Sequence, residues 1–159
     1  MRLSTKGRYA VMALADLASR QSNIPVALSE IAKSQRISLS YLEQLFAKLR
    51  RAGLVRSARG PGGGYTLARG ANETSVAAIM RAVDEALDTS PCAAERQLGS
   101  LPEGSAAVTC DLWVALGREI ETFLGAISLA DVVTRRMPAP RPNPPAIPDP
   151  TRLVQQIGQ

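Results

Sequence analysis

Residues 28–65, LSEIAKSQRISLSYLEQLFAKLRRAGLVRSARGPGGGY, constrain this chain more than any other stretch. Two short helical patterns flank a turn, and a hairpin with a glycine-rich tip follows. In the second helix Ser40 and Glu43 stand at the S-x-x-E spacing of a capping box, which predicts a helix start at Ser40. Leu42, Leu45, Phe46 and Leu49 recur at i, i+3, i+4 and i+7 and define one apolar face. Tyr41, Gln44, Lys48 and Arg51 form a separate row of hydrogen-bonding and cationic groups. A helix packed by one face and presenting such a row on another suits the major groove of DNA. An ordinary amphipathic surface helix shows the same pattern, so the neighbours decide. A shorter helix precedes it, with Ser29 as the expected N-cap and Ile31 and Ala32 facing inward. Residues 35–38 have the length of a helix-turn-helix turn. Gly53 suits the position just past a helix C-terminus, residues 54–58 read as a strand, residues 60–64 close a hairpin, and residues 65–67 return. The expected fold is mainly α with a small β-hairpin wing, a winged helix-turn-helix followed by a long helix.

Charge is segregated along the chain. Residues 1–70 hold 12 Lys or Arg against 3 Asp or Glu, a net of +9, whereas residues 71–159 hold 7 against 11, a net of −4. The basic half is the half with the helix-turn-helix, as a phosphate-facing domain requires. A secretory signal is not evident, and the apolar run from Tyr9 to Ala15 is too short to span a membrane and ends at Asp16. The expected location is the cytoplasm, where two cysteines are more often reduced, ligating or redox-sensing than joined in a structural disulfide.

Composition and periodicity divide the chain into three segments: a DNA-binding domain over 1–70, a cysteine-bearing loop with apolar helices suited to a second partner over 71–137, and a proline-rich tail over 138–159. In the first, Ser4 is the expected cap of a helix that buries Ala10, Ala13, Leu14 and Leu17, with Lys6 and Arg8 flanking it. The glycine-rich tip lacks the G-K-[ST] of a nucleotide loop and has no helix after it, so it reads as a flexible wing tip. Arg59 beside it is placed to enter a narrow minor groove. In the second segment Val76, Ile79, Met80 and Val83 mark a helix over 72–87, and residues 92–109 read as a loop. A long helix over 111–126 carries Leu112, Ala115, Leu116, Ile120, Phe123 and Leu124, more apolar surface than a small domain needs. Ser128 and Asp131 stand at capping-box spacing before a short last helix. In the tail, seven of the thirteen residues 138–150 are proline, which excludes helix and sheet.

The chain resembles the IscR-type iron–sulfur cluster regulators, a family of bacterial winged-helix transcription factors. The motifs that carry the resemblance are Met1-Arg-Leu-Ser-Thr-Lys-Gly-Arg-Tyr-Ala-Val11, Ile37-Ser-Leu-Ser-Tyr-Leu-Glu-Gln-Leu-Phe46, Gly53-Leu-Val with Arg59-Gly-Pro-Gly-Gly-Gly-Tyr65, and Ala82-Val-Asp-Glu85. It implies a homodimer that binds a partly palindromic double-stranded operator, as a repressor of iron–sulfur cluster or iron homeostasis genes. Ser38, Ser40, Tyr41, Glu43 and Gln44 are the candidates for base-edge or phosphate contacts, and Arg50, Arg51, Arg59 and Gly60 for backbone and minor-groove contacts.

The resemblance also implies a two-iron, two-sulfur cluster held by three cysteines and one histidine. Here Cys92 matches the first ligand. With Trp113 as anchor, Cys110 falls where the histidine lies and Ala107 where the third cysteine lies; the second cysteine has no counterpart, and the chain contains no histidine. The ligand set is incomplete. Asp84, Glu85, Glu95, Glu103 and Asp111 are the carboxylates that would complete it, and such a cluster would be labile, because iron–sulfur centres favour soft ligands. A thiol–disulfide switch and a pair of inert buried cysteines stand beside it as alternatives. An enzyme fails on inventory, with no histidine for a base and no complete nucleotide loop.

Overall fold

The computed structural model describes residues 5–20, 24–83 and 105–139. Ser4 and the cysteine-bearing stretch around Cys92, with Asp84, Glu85, Glu95 and Glu103, lie outside them, as does most of the proline-rich tail.

Helix α1 (Thr5–Ser19) buries Ala10, Ala13, Leu14 and Leu17, the face its spacing predicts. Small alanines on that face let the next two helices approach. Helix α2 (Leu28–Gln35) is one of them. Its N-cap is Ala27, which offers no side-chain acceptor, and Ser29 lies inside the first turn. The cap expected at Ser29 is therefore corrected. Asp16 of α1 accepts from the Ser34 hydroxyl of α2. Arg20 pairs with Asp16 at 3.3 Å and with Glu30 of α2 at 3.0 Å. Burial pushes the Asp16 carboxyl up, but Ser34 and Arg20 outweigh it and hold it below its usual range.

Arg36 ends α2 in the left-handed region (φ 54°), and Ile37 and Ser38 lead into α3 (Leu39–Arg51). Gly53 (φ +71°) then turns the chain out of α3, a conformation that other residues adopt only at a cost. Strand β1 (Val55–Ala58) pairs antiparallel with β2 (Gly64–Leu67), with Val55 opposite Leu67 and Ala58 opposite Gly64. The hairpin is anchored to the body by a third segment. Val26 and Tyr65 exchange backbone hydrogen bonds of 3.0 and 2.8 Å just before α2.

A 3₁₀ turn (Ala71–Glu73) precedes α4 (Val76–Ala82). The helix expected from residue 72 thus begins at Val76, where Ser75 accepts from the Ala78 N–H at 3.2 Å. Thr74, the one buried polar residue of the described chain, keeps the two apart by bonding back to the Gly70 carbonyl. The long helix α5 (Ser105–Gly125) starts earlier than the sequence pattern suggests. Residues 105–109, which the sequence pattern assigns to the loop, are helical, and Cys110 lies within the helix rather than at a loop edge. Helix α6 (Leu129–Thr134) has the expected capping box of Ser128 and Asp131. The N-termini of α4 and α6 lie side by side, joined by Val76 N–H to Ile127 O and Leu129 N–H to Thr74 O.

One apolar cluster joins α1, Ile31, Ile37, the four inward residues of α3, Val55, Ile79, Val83 and Leu129. The helix-turn-helix therefore shares its core with α4 and α6. Among the described residues no helix is long and apolar enough to cross a membrane.

Candidate nucleic-acid interface

The interface is built on α3. Leu42, Leu45, Phe46 and Leu49 are all buried and fix the rotation of the helix about its axis. Phe46 lies edge-on to Tyr65 of the wing, with ring centroids 4.9 Å apart. One aromatic contact thus ties the buried face of α3 to the hairpin that carries Arg59. Ser40, Glu43, Gln44, Arg50 and Arg51 are exposed on the outward side, and Arg59 and Gly60 are exposed at the wing.

The start of α3 differs from the sequence expectation. Ser38, not Ser40, is the N-cap, and its Oγ accepts from the Tyr41 N–H at 3.2 Å. Ser40 is the second helical residue, with its Oγ 3.3 Å from that of Ser38. Glu43 therefore lies beyond the first turn, where it cannot reach back to the cap. The capping box of Ser40 and Glu43 does not form, and the reason is position: two serines two residues apart compete for the cap, and the extended backbone at Ser38 (ψ 139°) decides it. Ile37 and Leu42, both buried, occupy the two positions of a hydrophobic staple around that cap.

Tyr41 is half-buried and makes an edge-to-face pair with Tyr9 of α1, centroids 6.0 Å apart. The two rings form one wall of an open cleft of about 390 Å³ lined also by Thr5, Arg36, Ile37 and Ser38. Hydroxyl and guanidinium groups from both elements of the helix-turn-helix and from α1 thus meet at the N-terminus of α3. Arg36 was not singled out in the sequence; its left-handed backbone in the turn is visible only in the fold.

The cofactor ligands do not assemble among the described residues. Cys110 is fully buried, whereas the neighbouring Asp111 is exposed. Adjacent residues of one helix point in different directions, so this pair does not ligate a common centre. No group of three acidic, cysteine or histidine side chains suited to a metal occurs among the described residues. The other candidate ligands, Cys92, Asp84, Glu85, Glu95 and Glu103, lie outside the described residues.

Helix α5 presents a second exposed feature. Leu112, Trp113, Leu116 and Phe123 are 60, 46, 38 and 48% exposed and lie along one broad side of a helix about 31 Å long at 1.5 Å per residue. Arg81 of α4 pairs with Glu121 at 3.3 Å on a different side.

Residues 3–135 match the family model for Rrf2, described as an iron-dependent transcriptional regulator. The chain is 48% identical over 133 residues to the HTH-type transcriptional regulator IscR of Xenorhabdus nematophila, covering 84% of this chain and 79% of that one. Its fold is similar to that of T. potens IscR (TM-score 0.69, 38% identity, 91 and 94% of the two chains). It is similar also to CymR, the global cysteine regulator of B. subtilis (TM-score 0.71, 30% identity, 85 and 98%). With a buried-face recognition helix, an arginine-bearing wing and this kinship, the chain belongs to the Rrf2 family and is an IscR-type, winged-helix DNA-binding transcriptional regulator.

Proposed function

We propose that the protein works as a homodimeric repressor of iron–sulfur cluster or iron homeostasis genes, holding two copies of α3 against a partly palindromic operator. The observation that carries the reading is the pairing of two faces on one chain: a polar and basic outward side on α3 with Arg59 at the wing, and an exposed apolar stripe on α5. A second copy is the occupant that suits the stripe. An apolar face of that width is costly to leave in water, and two-fold pairing places two identical recognition helices at one separation. IscR-named relatives support the iron–sulfur gene assignment.

Within the operator complex each exposed side chain takes a chemical role. Ser40, Glu43 and Gln44 face base edges, where Gln donates to and accepts from adenine and Glu accepts from cytosine. Arg50 and Arg51 neutralise phosphates, and Arg59 with the exposed backbone of Gly60 enters the minor groove. Ser38 and Tyr41 hold the N-terminus of α3 and reach the flanking phosphate.

The test combines binding and assembly. Full-length protein should bind one duplex selected from a random pool with an affinity that falls by roughly 10³ or more between 50 and 200 mM salt, if 6–10 phosphates are neutralised. It should sediment as a dimer that Leu116→Glu splits. Salt-independent binding, or a monomer that binds the whole palindrome as tightly as the parent, would contradict the reading.

A further inference from the structure

Leu39 is the one exposed large aliphatic residue on α3, at 42% exposure. It belongs to neither apolar cluster nor to the residues packed against them. The inward apolar work at this helix start is already done by Ile37 and Leu42. A single exposed leucine means little on most surfaces; here its position gives it meaning. It is the first residue of α3, between the cap Ser38 and the exposed Ser40, and one turn before Glu43. An acidic residue in a first helical turn would help the helix by interacting with its dipole, and both α2 and α6 carry one, Glu30 and Asp131. The first turn of α3 carries none. A carboxylate there would meet phosphate. An aliphatic chain in that place is neutral toward phosphate and costs nothing in hydrogen bonds.

The major groove displays one apolar group, the C5-methyl of thymine; every other distinguishing edge group is a donor or an acceptor. Recognition helices of this class place their N-terminal residues against base edges. We infer that Leu39 is a specificity-determining residue that packs on a thymine methyl in each half-site, alongside the hydrogen-bonding readout of Ser40, Glu43 and Gln44. The inference rests on the operator-binding reading above and adds to it an apolar element of recognition.

Replacing thymine by uracil removes the methyl and leaves every hydrogen-bonding group of the pair in place. The duplex that the full-length protein selects from a random pool is therefore resynthesised with each thymine of one half-site changed singly to uracil. The parent protein should lose about fourfold in affinity at one position, the equivalent of burying one methyl group at roughly 0.8 kcal/mol. The loss should be roughly sixteenfold when both half-sites are changed. Leu39→Ala should bind the thymine duplex more weakly, bind the uracil duplex no worse than the thymine one, and melt at the parent's temperature because the side chain is exposed. Leu39→Met should retain a measurable preference for thymine. The inference is overturned by selected half-sites that contain no thymine, by a parent indifferent to uracil at every position, or by an undiminished uracil penalty in Leu39→Ala. A protein that binds all duplexes alike would instead overturn the operator reading itself, and this inference with it.

Discussion

Serines 38 and 40 give the sharpest test of how α3 begins. Both are exposed hydroxyls at the same end of the same helix, two residues apart, yet the structure gives them different work. Ser38 Oγ accepts from the Tyr41 N–H at 3.2 Å, satisfying one of the backbone donors that a helix start leaves without a partner. Ser38→Ala removes that acceptor and should cost about 1 kcal/mol within the usual 0.5–2 kcal/mol range for a cap. In a chain of this size that is roughly 2–4 °C in melting temperature. Ser40 is already helical, and its hydroxyl lies 3.3 Å from that of Ser38 on the surface. Alanine is the better helix former by a few tenths of a kcal/mol, so Ser40→Ala should be neutral or slightly stabilising. Glu43→Ala should also stay within about 0.5 kcal/mol. Thermal and urea melts at one fixed protein concentration decide the matter, since any dimerisation makes the midpoint depend on concentration. On the operator the order should invert, with Ser40→Ala and Glu43→Ala altering site preference at unchanged stability. A Ser40→Ala protein as destabilised as Ser38→Ala, or a Glu43→Ala protein that melts early, would refute the assignment of the cap.

Phe46→Ala should cost about 3–5 kcal/mol, with part of the loss coming from the edge-to-face contact with Tyr65; urea unfolding with the wing's amide exchange as a second probe would show whether the hairpin loosens first. Gly64→Ala should detach the wing from the body, because a Cβ there would collide with the Val26 carbonyl group; the slow exchange expected of the Val26 and Tyr65 amides should be lost, while a merely flexible tip would leave it unchanged. Asp16 has a depressed carboxyl, so its contribution to stability is present above the unfolded value of about 3.9 and is lost as pH falls through the lower folded one. Asp16→Asn should therefore be less stable than the parent at pH 7, and urea midpoints of the two proteins should converge below about pH 4.

Periodicity made most of this architecture legible. The inward residues of α1 and α3 were readable because four apolar positions at helical spacing leave a helix one way to pack. The capping box of α6 was readable because Ser128 and Asp131 have no competitor nearby. Where two serines stood two residues apart before α3, spacing alone favoured the one with a glutamate three residues on, and the backbone chose the other. The start of α4 was misplaced for a related reason: residues 71–73 have helical propensity, but Thr74 is drawn into a bond with Gly70 and the α-helix waits for Ser75. Glycine content announced a turn at the wing but not its purpose. Gly64 is required by a neighbouring backbone 38 residues earlier in sequence, and no local pattern can report that. Arg36 and Leu39 carry no periodic signal, and their exposure beside the cap appears only once the helix-turn-helix is assembled.

The position of Cys110 changes what a cysteine substitution would mean. A residue at a loop edge can be exchanged with little effect on packing, and a lost response would then point to lost ligation or lost redox chemistry. Cys110 is instead fully buried within α5. A serine there would place a hydroxyl where the thiol was, at a cost of roughly 1–3 kcal/mol if it finds no partner. That cost would not stay local. Helix α5 packs on α4, and α4 packs on α1 and α3, with Ile79 and Val83 inside the same apolar cluster as Leu42 and Phe46. Interiors this continuous transmit displacement because they are close-packed. A weakened operator complex in Cys110→Ser would thus follow from packing alone, whatever chemistry the thiol performs. Cys110→Ala introduces no buried polar group, so it separates the two causes. If it keeps operator affinity and loses only the response to iron or oxidant, the thiol is the sensor. If it keeps both, Cys110 is core.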